Sequence, residues 1–265
     1  MMTHTPKKSL GQNFLRDDAV IAQIVDAAQL DARSSVVEVG PGEGVLTAPL
    51  AAVAGTVIAV EVDSDLVPQL RRRFAVRRNV HIEHADIRRV YLKELLGKYG
   101  VKQYCVVANL PYYITSSIVR FFMESRTPPT HLVIMVQKEV AERIIASPGR
   151  MSILAVAVQY YGDVSWVCDV PRESFAPVPN VDSAVIKITH HGVVATPAQD
   201  KAFFRIVRAG FSARRKMLVN NLASSFHREK EDIRALLAQC GLSETVRPQD
   251  LSVDDWRALT KIFRR

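Results

Sequence analysis

The chain has 265 residues, enough for one or two domains, and its 48% hydrophobic and 23% charged content excludes a disordered chain. No stretch reaches the roughly 18 apolar residues of a membrane span, and residues 1–9 carry two lysines but no apolar run, so no secretory signal is expected. Three scattered cysteines, Cys105, Cys168 and Cys240, fit neither a disulfide framework nor a zinc ribbon, which points to a reducing, cytoplasmic compartment.

In chain order, β-branched runs predict strands over 35–39, 56–61, 80–83, 104–108, 132–136, 153–159 and 183–189. Amphipathic stretches between them predict helices over 19–30, 45–53, 66–76, 116–123 and 140–145. Alternation of this kind predicts an α/β fold with a mostly parallel sheet. After residue 189 a linker-like run leads into helical patterns over 203–211, 216–226, 233–239 and 254–263, with Gly241 placed to stop the third. The expected division is therefore 1–189 and a small all-α domain over 190–265. The net charge of +8 is uneven: residues 1–184 hold 20 basic and 19 acidic side chains, residues 185–265 hold 15 and 8. A basic helical region attracts polyanions, nucleic acid above all. Its alternative is an arginine-rich, solvated surface.

The strongest local signal is Glu38-Val39-Gly40-Pro41-Gly42-Glu43-Gly44 at the end of a predicted strand. Glycines there allow a sharp turn and close approach to a ligand, and the following helix directs free N–H groups at it. Glu61 ends the next strand 21 residues after Gly40, the spacing at which an acid grips ribose hydroxyls. The Gly-x-Gly-x-Gly spacing with a preceding acid departs from the dinucleotide fingerprint and points to S-adenosylmethionine, whose amino-acid end carries an ammonium. The alternative is a tight strand–helix turn with no ligand. Asp86 follows the third strand and is a candidate acceptor for an adenine amino group, or else a helix cap.

Asn109-Leu110-Pro111-Tyr112 closes the fourth strand on the same side of the sheet. Methylating an adenine N6 needs two acceptors for its hydrogens, because its lone pair is delocalised into the ring. The Asn109 side chain and the Leu110 carbonyl suit that role, Pro111 stiffens the turn, and Tyr112 offers a face for the base. The alternative is a rigid turn with a half-buried tyrosine.

Taken together, these motifs resemble the KsgA/RsmA family of small-subunit rRNA adenine dimethyltransferases over essentially the whole chain. The resemblance also rests on residues 8–15 (Lys-Ser-Leu-Gly-Gln-Asn-Phe-Leu), Gln137-Lys138-Glu139, residues 175–183 (Phe-Ala-Pro-Val-Pro-Asn-Val-Asp-Ser), Phe211-Ser212-Ala213-Arg214-Arg215-Lys216 and Arg247-Pro248-Gln249-Asp250-Leu251-Ser252. It implies a Rossmann-like class I S-adenosylmethionine-dependent methyltransferase sheet with a helical RNA-binding domain. It places cofactor contacts on Asn13, Leu15, Gly40, Gly42, Glu61, Asp86 and Asn109, and an N-terminal motif that folds over the cofactor. It implies that Phe175 stacks on the face of the target adenine opposite Tyr112, or else is a core residue. Arg205, Arg208, Arg214, Arg215 and Lys216 are the densest basic group of the helical region and Arg71, Arg72, Arg73, Arg77 and Arg78 a second cluster, candidates to hold RNA phosphates or else solvated charges. The implied partners are small-subunit rRNA and the immature small ribosomal subunit, with S-adenosylhomocysteine as product, no metal, no membrane and a monomeric chain. The run 147–152 is shorter than the family's loop and lacks its tyrosine, and Asn180 stands where a basic residue is common. Competing readings are a large-subunit, Erm-like adenine methyltransferase and a non-catalytic ribosome-assembly factor. A nicotinamide-dependent oxidoreductase is disfavoured by the glycine spacing.

Overall fold

The computed structural model describes Lys7 and residues 11–193, 195–213 and 215–263. Of the residues singled out above, Lys8, Ser9, Leu10 and Arg214 lie outside the described residues. The chain divides into two compact units, Met1–Ala141 with Gly162–Gly192, and Glu142–Tyr161 with Val193–Arg265. Among the described residues, no helix is long and apolar enough to cross a membrane.

The elements run β1 (Phe14–Leu15), α1 (Asp18–Ala27), β2 (Ser35–Val39), α2 (Thr47–Val53), β3 (Thr56–Glu61), α3 (Val67–Arg73), β4 (Val80–His84), α4 (Leu92–Lys98), β5 (Cys105–Asn109) and α5 (Thr115–Met123). They continue with β6 (His131–Gln137), α6 (Lys138–Ile144), α7 (Ile153–Tyr161), β7 (Gly162–Val170), β8 (Phe175–Ala176) and β9 (Ser183–His190). A seven-stranded sheet has the order β4-β3-β2-β5-β6-β9-β7. Pairing is parallel from β4 to β6, and β9 runs antiparallel to both neighbours. The central strands β2, β3, β5 and β6 are almost wholly buried Val, Ile, Leu and Ala, the composition of strands covered on both faces. Strand order reverses between β2 and β5, which pair Val39 with Ala108. That switch point is where open α/β sheets bind ligands, beyond the carboxyl ends of the strands.

One reading of the sequence is corrected. The run 153–159 folds as helix α7, not as a strand. Its residues Leu154–Val158 are buried on every side, so neither helical nor strand periodicity shows. Ser152 starts it, accepting the Ala155 N–H at its side-chain oxygen (3.2 Å) and the Val156 N–H at its carbonyl (2.9 Å). In the seven-stranded sheet the missed strand is the next segment, β7, which carries an irregularity between Trp166 and Cys168 where it pairs with β9, and the short strands β1 and β8 were not predicted either.

The two compact units differ in extent from the expected 1–189 and 190–265. Residues 142–161 join the helical unit rather than the sheet unit, and that unit resumes at Val193. The contacts show why. Gly149 and Met151 donate backbone N–H bonds to the Gln249 carbonyl at 2.9 and 3.1 Å, and the Tyr160 ring stacks on Phe203 at 4.1 Å. The remaining helices of that unit are α8 (Pro197–Gly210), α9 (Leu218–Phe226), α10 (Lys230–Gln239) and α11 (Val253–Phe263). A capping box between Thr196 and Gln199 starts α8, with Pro197 in its first turn. The α8 helix ends against the fully buried Trp256, and a Cβ on Gly210 would lie 2.3 Å from that ring. We expect Gly210→Ala to destabilise the helical unit by about 1–3 kcal/mol through overpacking. Urea unfolding followed by Trp fluorescence measures this, and an unchanged midpoint contradicts it.

Candidate active site

At the carboxyl end of β2 the chain turns through Gly40 and Gly42, whose φ angles are +67° and +59°. Side-chain-bearing residues rarely hold this left-handed conformation. A Cβ on Gly42 would press on the Phe14 ring at 3.0 Å, whereas one on Gly40 would meet no protein atom within 4 Å. Both glycines line a pocket, so the loop leaves space there that any side chain on Gly40 would fill. Helix α2 begins at Thr47, two residues later than its sequence pattern predicts, and the Thr47 hydroxyl turns inward instead of capping it.

Two buried carboxyls flank this loop. Glu38, 1% exposed on β2, accepts a 2.6 Å hydrogen bond from Thr47 Oγ1. Burial pushes its carboxyl up to about 8, with neighbouring Glu61 adding to the effect and Thr47 opposing it. Glu61, 4% exposed at the end of β3, receives the Gly42 N–H on Oε2 at 3.0 Å and the Asp63 N–H on Oε1 at 2.8 Å. Burial raises its carboxyl as well, against those backbone donors. Asp86 both caps the short turn Ile87–Arg89 and reaches the pocket. Its Oδ1 accepts from Arg88 N at 3.0 Å, and Arg88 grips both its oxygens at 2.9 and 2.7 Å. That bidentate pairing holds Asp86 below the usual carboxylate range.

From the far side of the switch point, β5 delivers Asn109. Its Nδ2 donates to the Asn13 carbonyl at 3.2 Å, so its oxygen is the amide's acceptor. Leu110 is buried, with its N–H on the Met135 carbonyl at 3.2 Å. Pro111 precedes a short turn, Tyr112–Ile114, in which the half-buried Tyr112 hydroxyl meets Ser183 Oγ at 2.8 Å. Asn13 and Leu15 arrive on the strap that becomes β1, which pairs antiparallel with β8, Leu15 opposite Phe175.

All of Asn13, Leu15, Gly40, Gly42, Glu61, Asp86, Asn109, Leu110, Pro111, Tyr112 and Phe175 line this one pocket. Phe175 differs from the expectation for a stacking residue. Only 3% exposed, it packs with Leu15, Val170 and Val185 in the core, so its ring forms a wall beneath the strap and presents little open face. Arg215 and Lys216 are exposed and belong to the helical unit, not to the pocket lining. Sequence reasoning included Ser183 in the 175–183 motif without its bond to Tyr112, and it missed Thr47, Asp63 and Arg88, which hold the pocket residues rather than form a motif. Their only signal is proximity in the chain to a motif residue, as in Glu61-Val62-Asp63. Among the described residues, no group of three or more His, Cys, Asp or Glu side chains is placed to hold a metal.

The raised Glu38 carboxyl has a consequence for stability. In the unfolded chain this group loses its proton near pH 4.5; in the native protein it keeps it up to about pH 8. Between those values the native state binds the extra proton, so stability falls as pH rises, by up to about 1.4 kcal/mol per unit. Glu38→Gln removes the proton and keeps an acceptor for Thr47. We expect its stability to decline less than that of the wild type from pH 5 to pH 8 in urea unfolding; parallel curves contradict this.

The sequence profile described as "Ribosomal RNA adenine dimethylase" matches residues 3–265. A protein of Dehalococcoides mccartyi named "Ribosomal RNA small subunit methyltransferase A" is 42% identical, over 97% of this chain and 88% of its own length. One of the same name from Enterococcus faecalis is 40% identical, over 98% of this chain and 90% of its own. Among solved structures, the 23S rRNA methyltransferase ErmE is similar with a TM-score of 0.77 at 27% identity, covering 96% of this chain and all of that one. On these matches the chain belongs to the ribosomal RNA adenine dimethylase family, and its sheet is of the class I methyltransferase kind.

Proposed function

We propose that this protein is an S-adenosylmethionine-dependent rRNA adenine N6,N6-dimethyltransferase. Its substrate is two adjacent adenines in a hairpin loop near the 3′ end of small-subunit rRNA, methylated during ribosome assembly. The observation that carries this reading is the Asn109 amide. It sits at the end of β5 on the wall of the glycine-loop pocket, its nitrogen committed to the Asn13 carbonyl and its oxygen left to accept. The near-full-length relatives named as small-subunit enzymes support the choice of subunit over the large-subunit alternative.

The pocket suits the cofactor. Glu61 has two oxygens with lone pairs beyond those taken by Gly42 and Asp63, enough to accept from a ribose diol, and the space beside Gly40 admits a ligand next to the backbone. Gly40, Gly42, Asn13 and Leu15 would hold the rest of the molecule, with Asp86 at the adenine end. When bound, S-adenosylmethionine supplies a methyl group on a sulfonium, an electrophile that carries its own leaving group.

The chain's own residues then do the positioning. The target base leaves its stack, which costs a few kcal/mol and less in a loop. In the first transfer Asn109 Oδ1 and the Leu110 carbonyl accept the two N6 hydrogens and draw the nitrogen toward a tetrahedral shape, freeing its lone pair; in the second, the monomethyl-adenine turns its one remaining N–H inward to these acceptors. Tyr112, its hydroxyl tethered to Ser183, gives the base a fixed ring to stack on. The surplus proton leaves to water afterwards, so the site needs no general base, and most of the rate gain is positioning. Arg215 and Lys216, with Arg205 and Arg208 on the same unit, supply exposed positive charge for rRNA phosphates. Arg71, Arg72, Arg73, Arg77 and Arg78 do so on the sheet unit.

The test is transfer of labelled methyl groups to under-methylated small subunits, with mature subunits and large subunits alongside. We expect dimethyladenine only on the under-methylated small subunits. Label on large-subunit RNA alone overturns the substrate, and no label despite subunit binding overturns the activity. Asn109→Ala should lower the single-turnover rate at least about a hundredfold, as misplacement of a reacting group does. Tyr112→Ala should cost about 1–3 kcal/mol of transition-state stabilisation through lost stacking, and Tyr112→Phe much less. Equal losses for the two Tyr112 variants would assign the role to the hydroxyl instead of the ring.

A further inference from the structure

Lys7 and the residues 11–17 that lead into α1 are fastened at several points. Lys7 Nζ lies 2.5 Å from Asp63 Oδ1 and 2.6 Å from Asp65 Oδ2. Gln12 Nε2 donates to Asp63 Oδ2 at 2.8 Å, while Gln12 Oε1 accepts the Lys7 N–H at 2.8 Å. The Asn13 carbonyl accepts from Asn109 Nδ2. Beyond Asn13, β1 pairs with β8, Arg16 N donates to the Ser174 carbonyl, and Ser174 Oγ donates to Asp17 Oδ2, both at 2.8 Å. The Asp63 side chain that receives the first fastening is fully buried, and its own N–H donates to Glu61.

We propose that Asp63 is a positioning residue for methyl transfer. Its carboxylate clamps Lys7 and Gln12 so that residues 11–15 are held on the pocket wall and the Asn13 carbonyl turns the Asn109 amide with its oxygen toward the substrate. This rests on the function proposed above and adds to it a residue that never touches the substrate. An ionised carboxylate is the group the arrangement requires. It accepts at both oxygens, so it receives an ammonium and an amide N–H at once; an asparagine in its place has one acceptor and one donor. Burial opposes the charge on Asp63, but Lys7, the Asp65 N–H and Gln12 outweigh it and hold the carboxyl below its usual range. Because the neighbouring backbone N–H reaches Glu61, the same turn ties the strap to the acid expected to hold the cofactor. Asp63 also caps the following turn, with Oδ1 accepting from Asp65 N at 3.1 Å, so a purely local role must be separated from the clamp.

The full-length wild type is compared with Asp63→Asn and with the double variant Lys7→Met/Gln12→Ala, which breaks the clamp and leaves the cap intact. Three readouts are taken: calorimetric affinity for S-adenosylhomocysteine, amide exchange at Leu15 and Arg16, and single-turnover methyl transfer at saturating cofactor. We expect both variants to weaken binding about tenfold, to speed strap exchange about tenfold and to slow transfer by a similar factor, as loss of charge-assisted hydrogen bonds does. Wild-type values from the double variant overturn the clamp, whether or not Asp63→Asn folds, because Asp63 is then only a cap. Wild-type binding with slowed transfer in both variants supports the orienting role through Asn109. If the wild type binds S-adenosylhomocysteine but labels no rRNA, the proposed function fails, while the binding and exchange comparison still decides the clamp.

Discussion

A carboxylate buried at the end of a strand must be met by donors, because leaving it unpaired away from water costs several kcal/mol. Glu61 is such a group, and the surrounding loops take the shapes that satisfy it. Gly42 turns its N–H toward one oxygen, which requires the left-handed backbone that glycine adopts without penalty. Asp63 turns its N–H toward the other, which brings the Asp63 side chain inward to meet Lys7 and Gln12. The glycine loop, the end of β3 and the strap before β1 are therefore linked through one side chain. Glu38, buried on the adjacent strand, is satisfied differently: it keeps its proton well into the neutral range and takes a hydroxyl donor from Thr47.

The sheet places this acid opposite a second constraint. The reversal of strand order between β2 and β5 sets the glycine loop and the Asn-Leu-Pro-Tyr turn side by side, although about 70 residues of chain separate them. The strap crosses from one to the other, so the Asn13 carbonyl can orient the Asn109 amide, and β1 carries the strap onward to β8 and Phe175. Cofactor pocket and base slot, as proposed, thus share one wall. A shift of the strap would alter both, and a pocket that works by positioning tolerates little shift.

The departures from the sequence reading have physical causes. Helix α7 is apolar on every side, which removes the periodicity that tells helix from strand, and Ser152 was the remaining signal. Strand β7 does carry strand alternation, Val164, Trp166, Cys168 and Val170 set between Asp163, Ser165 and Asp169, and was overlooked because the more apolar run just before it was read as the strand. The affiliation of residues 142–161 depends on contacts with Gln249 and Phe203, which are remote in sequence. Phe175, for which the resemblance implied stacking on the adenine or else a core place, lies buried beside Leu15 while still lining the pocket.

What the sequence by itself determined is the local chemistry. Short β-branched runs, glycine spacing, an acid 21 residues past Gly40 and the Asn-Leu-Pro-Tyr turn depend on neighbours within a few residues, and they suffice for the α/β class and for a pocket that joins Gly40, Gly42, Glu61 and Asn109; the family, Asn13, Leu15 and Phe175 came from the resemblance of longer motifs along the chain. Tertiary structure decided everything that joins distant segments: the pairing of β1 with β8, the clamp on Asp63, the tether from Tyr112 to Ser183, the burial that raises Glu38 and the fate of residues 142–161. These depend on burial and on hydrogen-bond partners supplied by other parts of the chain, and a single sequence records the groups but not their encounters.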